Sequence, residues 1–249
     1  MIILKSPEEI DKIAQACRIV AKTIKAIKLM VKPGLTTLEV ERFADTYIRA
    51  QGGIPAFKGY RGFPASICTS VNNEVIHGIP SKRALERGDV LSVDLGVYRD
   101  GFNGDGAVTI PIGEIEPDLE RLLKVTEESL YIGIEQARIG NRVSDISYSI
   151  QRFVESNGFS VVREFVGHGI GRELHEDPQV PNFGPPGRGP RLMGGMTLAI
   201  EPMVNAGGYE IIILNDGWTA VTADGKPSAH FEHTVLVTSD GPEILTKNG

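Results

Sequence analysis

Cysteine is nearly absent from this chain: two residues, Cys17 and Cys68, in a length of 249. They form no CxxC pair, which excludes a disulfide framework and suits a reducing compartment. Long apolar runs are missing as well. No stretch approaches the roughly 18 apolar residues of a membrane span, and the opening MIILKSPEEIDK lacks the apolar core of a signal peptide. An excess of positive charge is also lacking. The formal charge is -6, whereas binders of DNA or membrane surfaces need a basic face. Tryptophan occurs once and histidine five times. The rest is ordinary for a globular protein, at 41% apolar and 23% charged residues, and long enough to bury a sizeable core. The expectation is a cytoplasmic protein with no DNA partner and no membrane segment.

Punctuation divides the chain into elements. Ser6-Pro7-Glu8-Glu9 reads as a helix start, with Ser as N-cap and Glu three residues on. Ile10, Ile13, Ala14, Cys17, Ala21, Ile24 and Ile27 follow at helical spacing, so Cys17 is expected in the core, and Pro33-Gly34 ends the run. Thr36 and Glu39 open a second helix that should reach Gly52-Gly53. Strands are expected near 65–71, 90–97 and 102–110. The order then repeats: helices over 117–138 and 144–157, strands near 160–166, 196–201, 209–214 and 229–237. Two local matches accompany the repeat. GDVLSVD (88–94) resembles GMTLAIE (195–201), and HGIP (77–80) resembles HGIG (168–171). We therefore expect one domain over 1–249, built of two related halves, about 1–112 and 113–249, with a site between them. PNFGPPGRGP (181–190) reads as a surface loop within the second half.

Carboxylates stand where apolar residues belong. VLSVDLGV (90–97) is almost wholly apolar, yet holds Asp94. A buried, unpaired carboxylate costs several kcal/mol. Asp100-Gly101 signals a turn, and Asp105 follows on the return strand. A loop of Tyr98 to Gly101 sets Asp105 directly opposite Asp94; a loop of Asp100-Gly101 alone sets it diagonally. Both put the two acids on one face. Taken alone, Asp105 reads equally as a turn cap. The second half repeats the anomaly, with Glu201 ending TLAIE and Glu232 within AHFEHTVLV. VGHGIGRELHEDP (166–178) reads as a loop with three glycines and two of the five histidines. Asp94, Asp105, His168, Glu201 and Glu232 thus form a candidate ligand set for a pair of divalent first-row ions, Mn, Fe, Co or Zn. His230 and His233 flank Glu232 and are read as pointing to the face away from it. His233 is expected to be structural and His230 to lie at the surface or be structural.

As a set, EVIHGIP, the Asp94/Asp105 pair, GHGIGRELHEDP, AIEP and FEHT resemble the signature of the type I methionine aminopeptidases. The resemblance implies an α+β pita-bread fold: an antiparallel sheet flanked by two helix pairs, with internal pseudo-twofold symmetry. It implies that Asp94 holds one metal ion and that Asp105 and Glu232 bridge two. His168 and Glu201 would complete the other's shell, and a third, monovalent ion is admitted. Glu201 is expected to shuttle a proton, and His77 and His175 to stand beside the substrate. By motif position, Phe57, Tyr60, Phe63, Cys68, Leu174 and Trp218 are candidates for an apolar methionine pocket, although each alone reads equally as core packing. Phe63 stands where tyrosine is common in the family, and Leu174 where an aromatic residue is. Implied substrates are peptides with N-terminal Met and a small second residue, including nascent chains at the ribosome, handled by a monomer.

Two rivals are weighed against this. Prolidase-like and creatinase-like hydrolases on the same fold carry an extra N-terminal domain, for which a helix cap at Ser6 leaves no room. Type II enzymes carry an insertion that this length does not accommodate. A catalytically dead binding protein is expected to have lost ligands, whereas all five stand here.

Overall fold

The Ser6 hydroxyl accepts from the Glu9 N–H at 3.3 Å, and the Glu9 carboxylate accepts from the Ser6 N–H at 2.9 Å. This reciprocal cap opens helix α1 (Pro7–Met30). Thr36 and Glu39 do the same for α2 (Thr37–Ala50). Helices α3 (Pro117–Ile134) and α4 (Val143–Ser156) repeat the pair. The third helix stops short of the expected Arg138. Gln136 and Ala137 donate to Gly133 and Ile134, three residues back, which tightens the chain out of α-helical geometry. The computed structural model describes residues 1–247, so Asn248 and Gly249, the last two of the expected domain, lie outside the described residues.

Every strand pairing is antiparallel. One sheet centres on the hairpin Val90–Arg99 and Phe102–Pro111, with Cys68–Val71 and Ile54–Pro55 beside Val90–Arg99. The second runs Gly241–Ile244, His233–Thr238, Thr197–Ile200, Gly167–Gly169 and Glu176–Val180. Two three-stranded sheets complete the layer, one of them carrying Ser160–Val161, a shorter strand than the expected 160–166. α1 and α2 cover the first sheet; α3 and α4 cover the strands of the second half. A continuous apolar core runs through both, from Ile19 to Val237. Cys17 is fully buried as expected, and burial pushes its thiol up to about 12. No helix among the described residues is long and apolar enough to cross a membrane.

The two halves meet along Asp105–Thr109 and His230–Thr234. Glu232 N–H donates to the Ala107 carbonyl at 2.9 Å. On either side a threonine hydroxyl stands in for backbone. Thr234 accepts from Asp105 N–H and donates to Asp105 O, at 3.1 and 2.8 Å. Thr109 accepts from His230 N–H and donates to His230 O, both at 2.9 Å. The strand expected over 229–237 is broken here into Ser228–His230 and His233–Thr238. The strand ending in Glu201 breaks at Pro202, which has no N–H to give a ladder.

α1 sits close on the hairpin because Gly104 leaves room. A Cβ there would stand 2.7 Å from both the Cys17 nitrogen and its sulfur. Gly104→Ala is expected to cost about 1–3 kcal/mol by overpacking. Urea unfolding would show this as a lower midpoint at unchanged slope; an unchanged midpoint would mean that α1 yields freely.

Candidate metal centre

Each acid owes its place to a strand or to a break between strands. In the hairpin, Asp94 pairs with Ala107 and Gly96 with Asp105, the register of a two-residue Asp100-Gly101 loop. Asp105 is therefore diagonal to Asp94 on the same face. Glu201 and Glu232 sit at the two strand breaks, where the backbone turns and the side chains are freed from the alternation of a regular strand.

The glycine-rich segment is a hairpin rather than a loop. His168 lies on Gly167–Gly169, paired with Ala199, and the chain returns along Glu176–Val180. Its glycines serve close backbone approach. A Cβ on Gly167 would stand 2.4 Å from the Ala199 carbonyl oxygen, and one on Gly169 2.2 Å from that of Asp177. His168 Nδ1–H donates to the Gly169 carbonyl at 2.9 Å. That bond leaves the Nε2 lone pair free for a metal. Burial lowers the ring to about 4, so it is neutral near pH 7.

Ligand atoms of Asp105, His168 and Glu232 all lie within 4.8 Å of one another. Two ligands on opposite sides of a first-row ion stand at most about 4.4 Å apart, so a small closure suffices. Asp105 and Glu232 are each only 3% exposed. Glu201 Oε1 stands 3.5 Å from His168 Nε2. Burial pushes Asp105 up to about 7, against the Gly106 N–H that its carboxylate accepts at 3.0 Å. Asp94 is raised by burial and then by Asp105. Glu201 is raised by burial and by both aspartates, and Glu232 by burial and then by the other three acids. Among the described residues no lysine or arginine pairs with any of the four. Asp94 Oδ1 and Glu232 Oε1 are buried without a hydrogen-bond partner. Orphaned oxygens of this kind, converging with a neutral imidazole, fit divalent cations and nothing else in the chain.

The five expected ligands, His77, His175 and the six candidates for the apolar pocket all line one cavity of about 130 Å³. Beside the four acids and His168 stand His77 and His175. Phe57, Phe63, Cys68 and Leu174 form an apolar cluster separate from the main core, with Tyr60 and Trp218 packed against it. Phe63 meets Trp218 edge-on at 5.2 Å. The Asp216 carboxylate accepts from the N–H groups of Trp218 and Thr219, which fixes the tryptophan's loop. The Tyr60 hydroxyl is 2.9 Å from His175 Nδ1. Burial lowers His77 to about 4, and burial with its neighbours His168, Arg61 and His77 lowers His175 to about 3.

Some neighbours were not anticipated. Arg61 lines the cavity from a left-handed backbone (φ 49°), between the predicted Tyr60 and Phe63. Ile76 lines it one residue before His77. Asn182, inside the loop read as surface, is buried and donates to the Glu201 carbonyl at 2.9 Å. Of the two readings of His230 the structural one holds, at 1% exposed, and its face is corrected: Nε2 lies 3.5 Å from Glu201 Oε2. Alternation of period two puts residues 230 and 232 on one face, so the signal was present. His233 is structural as expected, with Nδ1 2.8 Å from the Thr246 hydroxyl.

The model of the metallopeptidase family M24 matches residues 11–239. The chain is 57% identical to the methionine aminopeptidase of Clostridium perfringens over 246 residues, 99% of each protein. Its structure superposes on the crystal structure of the Thermotoga maritima methionine aminopeptidase with a TM-score of 0.98, at 48% identity and over 100% of both chains. The Pyrococcus furiosus prolidase shares the fold at a TM-score of 0.82 and 24% identity, but only 66% of it is covered. The chain therefore belongs to the metallopeptidase family M24, and its antiparallel strands with two helix pairs are the pita-bread fold. It is a metal-dependent hydrolase.

Proton release tests the centre. The metal-free site keeps a proton on Asp105 up to about pH 7, and loading must displace it. His168, neutral above about 4, contributes none. Calorimetry in two buffers should show more protons released per ion at pH 6 than at pH 8, with apparent affinity rising as pH rises. Equal release at both would mean that Asp105 is already ionised at pH 6.

Proposed function

We propose that this chain is an aminopeptidase that removes N-terminal methionine from peptides and nascent proteins, using two divalent ions held by Asp94, Asp105, His168, Glu201 and Glu232. The observation that carries the reading is the single cavity in which these five meet two further neutral histidines and an apolar cluster. Co, Mn, Fe and Zn all suit this oxygen-rich donor set with one imidazole. Bound there, the ions supply Lewis acidity toward the first peptide carbonyl and acidify a water molecule near neutral pH.

The remaining steps belong to the side chains. Glu201 is coupled to the other acids and lies 3.5 Å from His168; it takes the proton of the attacking water and passes it to the leaving amine. His175, with Nδ1 held by Tyr60, directs Nε2 at the oxyanion that develops on the carbonyl or at the substrate amide. His77, on a left-handed backbone (φ 59°), flanks the same position and packs edge-on to Trp218 at 6.4 Å. Phe57, Phe63, Cys68, Leu174 and Trp218 enclose the methionine side chain. Leu174 replaces a ring with a flexible aliphatic group and leaves the pocket roomier at that wall. A small second residue fits the enclosed cavity best.

We read the two halves as related copies. In each, a left-handed glycine, Gly88 or Gly195, precedes an acid-bearing strand. In each, the glycine after a site histidine, Gly78 or Gly169, is pressed against backbone. The enzyme is read as a cytoplasmic monomer acting near the ribosome.

Metal-free protein titrated with each ion should cleave Met-Ala-Ser and leave Leu-Ala-Ser largely intact. Asp94→Asn should lower the rate at least about a hundredfold. His175→Ala should lower kcat by about 10²–10³ while metal affinity stays as it was. Equal cleavage of the leucine peptide would sink the methionine pocket but not the metal chemistry. A folded, metal-loaded protein that cleaves neither would sink the reading.

A further inference from the structure

We propose that a buried ion pair between Lys5 and Glu176 is a positioning device for His175. The proposal rests on the role given to His175 above. Lys5 Nζ stands 2.5 Å from Glu176 Oε2, and the two side chains are only 3% and 5% exposed. Among the described residues, every other pair of lysine or arginine with a carboxylate leaves at least one side chain 41% exposed or more.

Glu176 follows His175 directly and begins the return strand of the hairpin. Its other oxygen, Oε1, accepts from the Glu173 N–H at 3.3 Å. One carboxylate therefore closes the turn 173–176, at whose tip Leu174 and His175 enter the cavity. Lys5 is itself fixed. Its N–H donates to the Gly195 carbonyl at 2.9 Å, and its ammonium also donates to the Ile3 carbonyl at 3.1 Å. The pair fills the space under the turn. A Cβ on Gly171 would stand 2.6 Å from Lys5 Cε and 2.7 Å from Glu176 Oε1. The front of the same turn is pinned by Asn103, whose amide donates to the Gly171 and Arg172 carbonyls at 3.1 and 3.0 Å.

A buried ion pair is a poor device for stability, because apolar residues of similar volume do as well or better. What it supplies is direction. Among the described residues the His175 ring has one hydrogen-bond partner, the Tyr60 hydroxyl, beside ring contacts with Tyr60 and His168, so its backbone is set from below. A displacement of about 1 Å at a group facing the reacting carbonyl costs up to roughly 10²-fold in rate. The pair therefore acts on turnover through His175, with no contact to substrate or metal of its own.

The double variant Lys5→Met/Glu176→Leu separates the two roles. In the metal-loaded enzyme with Met-Ala-Ser, kcat should fall about 10- to 100-fold, with KM within about threefold and metal affinity and melting temperature close to wild type. Placed in a His175→Ala background, the same pair of changes should alter kcat by less than about twofold. Losses that multiply across the two backgrounds, or an unchanged kcat in the first, would overturn the proposal. If the double variant does not fold, Glu176→Gln in both backgrounds decides by the same criterion. A readout apart from activity separates this proposal from the aminopeptidase reading. In ¹⁵N-histidine spectra of zinc-loaded protein, the Lys5→Met/Glu176→Leu or Glu176→Gln change should move the His175 ring signals and leave those of His77 in place. Unmoved His175 signals would overturn the positioning role even in an enzyme that cleaves another peptide.

Discussion

Four carboxylates share one nearly dry volume, and among the described residues no lysine or arginine pairs with them. At an effective dielectric of about 20, two unit charges 4 Å apart repel by about 4 kcal/mol, and desolvation adds to this for each acid. Left alone, the group relaxes by taking up protons: burial pushes Asp105 up to about 7, and burial together with neighbouring carboxylates raises the other three. A fold that holds the acids together in spite of this must be stiff around them. The hairpin Val90–Arg99 and Phe102–Pro111 fixes two of them by register, and two strand breaks fix the others. Divalent charge would turn this repulsion into attraction, which is why the cluster suits ions of high charge.

Around this rigid centre the substrate-facing parts are built differently. Phe57, Phe63, Cys68, Leu174 and their neighbours form a cluster apart from the main core. They sit on turns and short strands, not on the long hairpin. On the proposed reading, the positions that meet the substrate side chain can therefore repack without disturbing the four acids. The histidines belong to both worlds: His168 is on a paired strand, whereas His175 is at a turn held by Tyr60 from the front and Glu176 from behind.

Much of this was legible before any coordinates. Helix starts were the clearest, because Ser6 and Thr36 carry their own caps and need no tertiary partner. The acids were legible because charge inside an apolar strand contradicts its surroundings. The Asp94–Asp105 face was legible, but its register was not: both loop lengths satisfied the alternation, and only the Asp100-Gly101 turn settled it. The glycine-rich segment was read as a loop because glycine usually marks one; here it marks backbone packed against backbone. The strand expected near 196–201 ends where Pro202 ends it, but the break after His230 was missed because neighbouring strands, not local sequence, decide where a chain changes partners. The face of His230 was misread although its spacing of two from Glu232 already carried the signal. The Lys5–Glu176 contact joins residues 171 positions apart, beyond any local signal.

The hydroxyls that join the two halves have a consequence for fidelity of assembly. A plain β-ladder can slip by two residues and recover every hydrogen bond, since all amides look alike to one another. The junction here cannot. Thr109 and Thr234 each both donate and accept across it, and a slip of two residues would bring Ala107 or Pro111 to the first place and Glu232 or Leu236 to the second, none of which carries a hydroxyl. The joint behaves like a keyed connector. Asp105 and Glu232, one from each half, can be brought to ligand distance in one alignment of the halves, so a misaligned chain would carry no metal and would declare itself inactive.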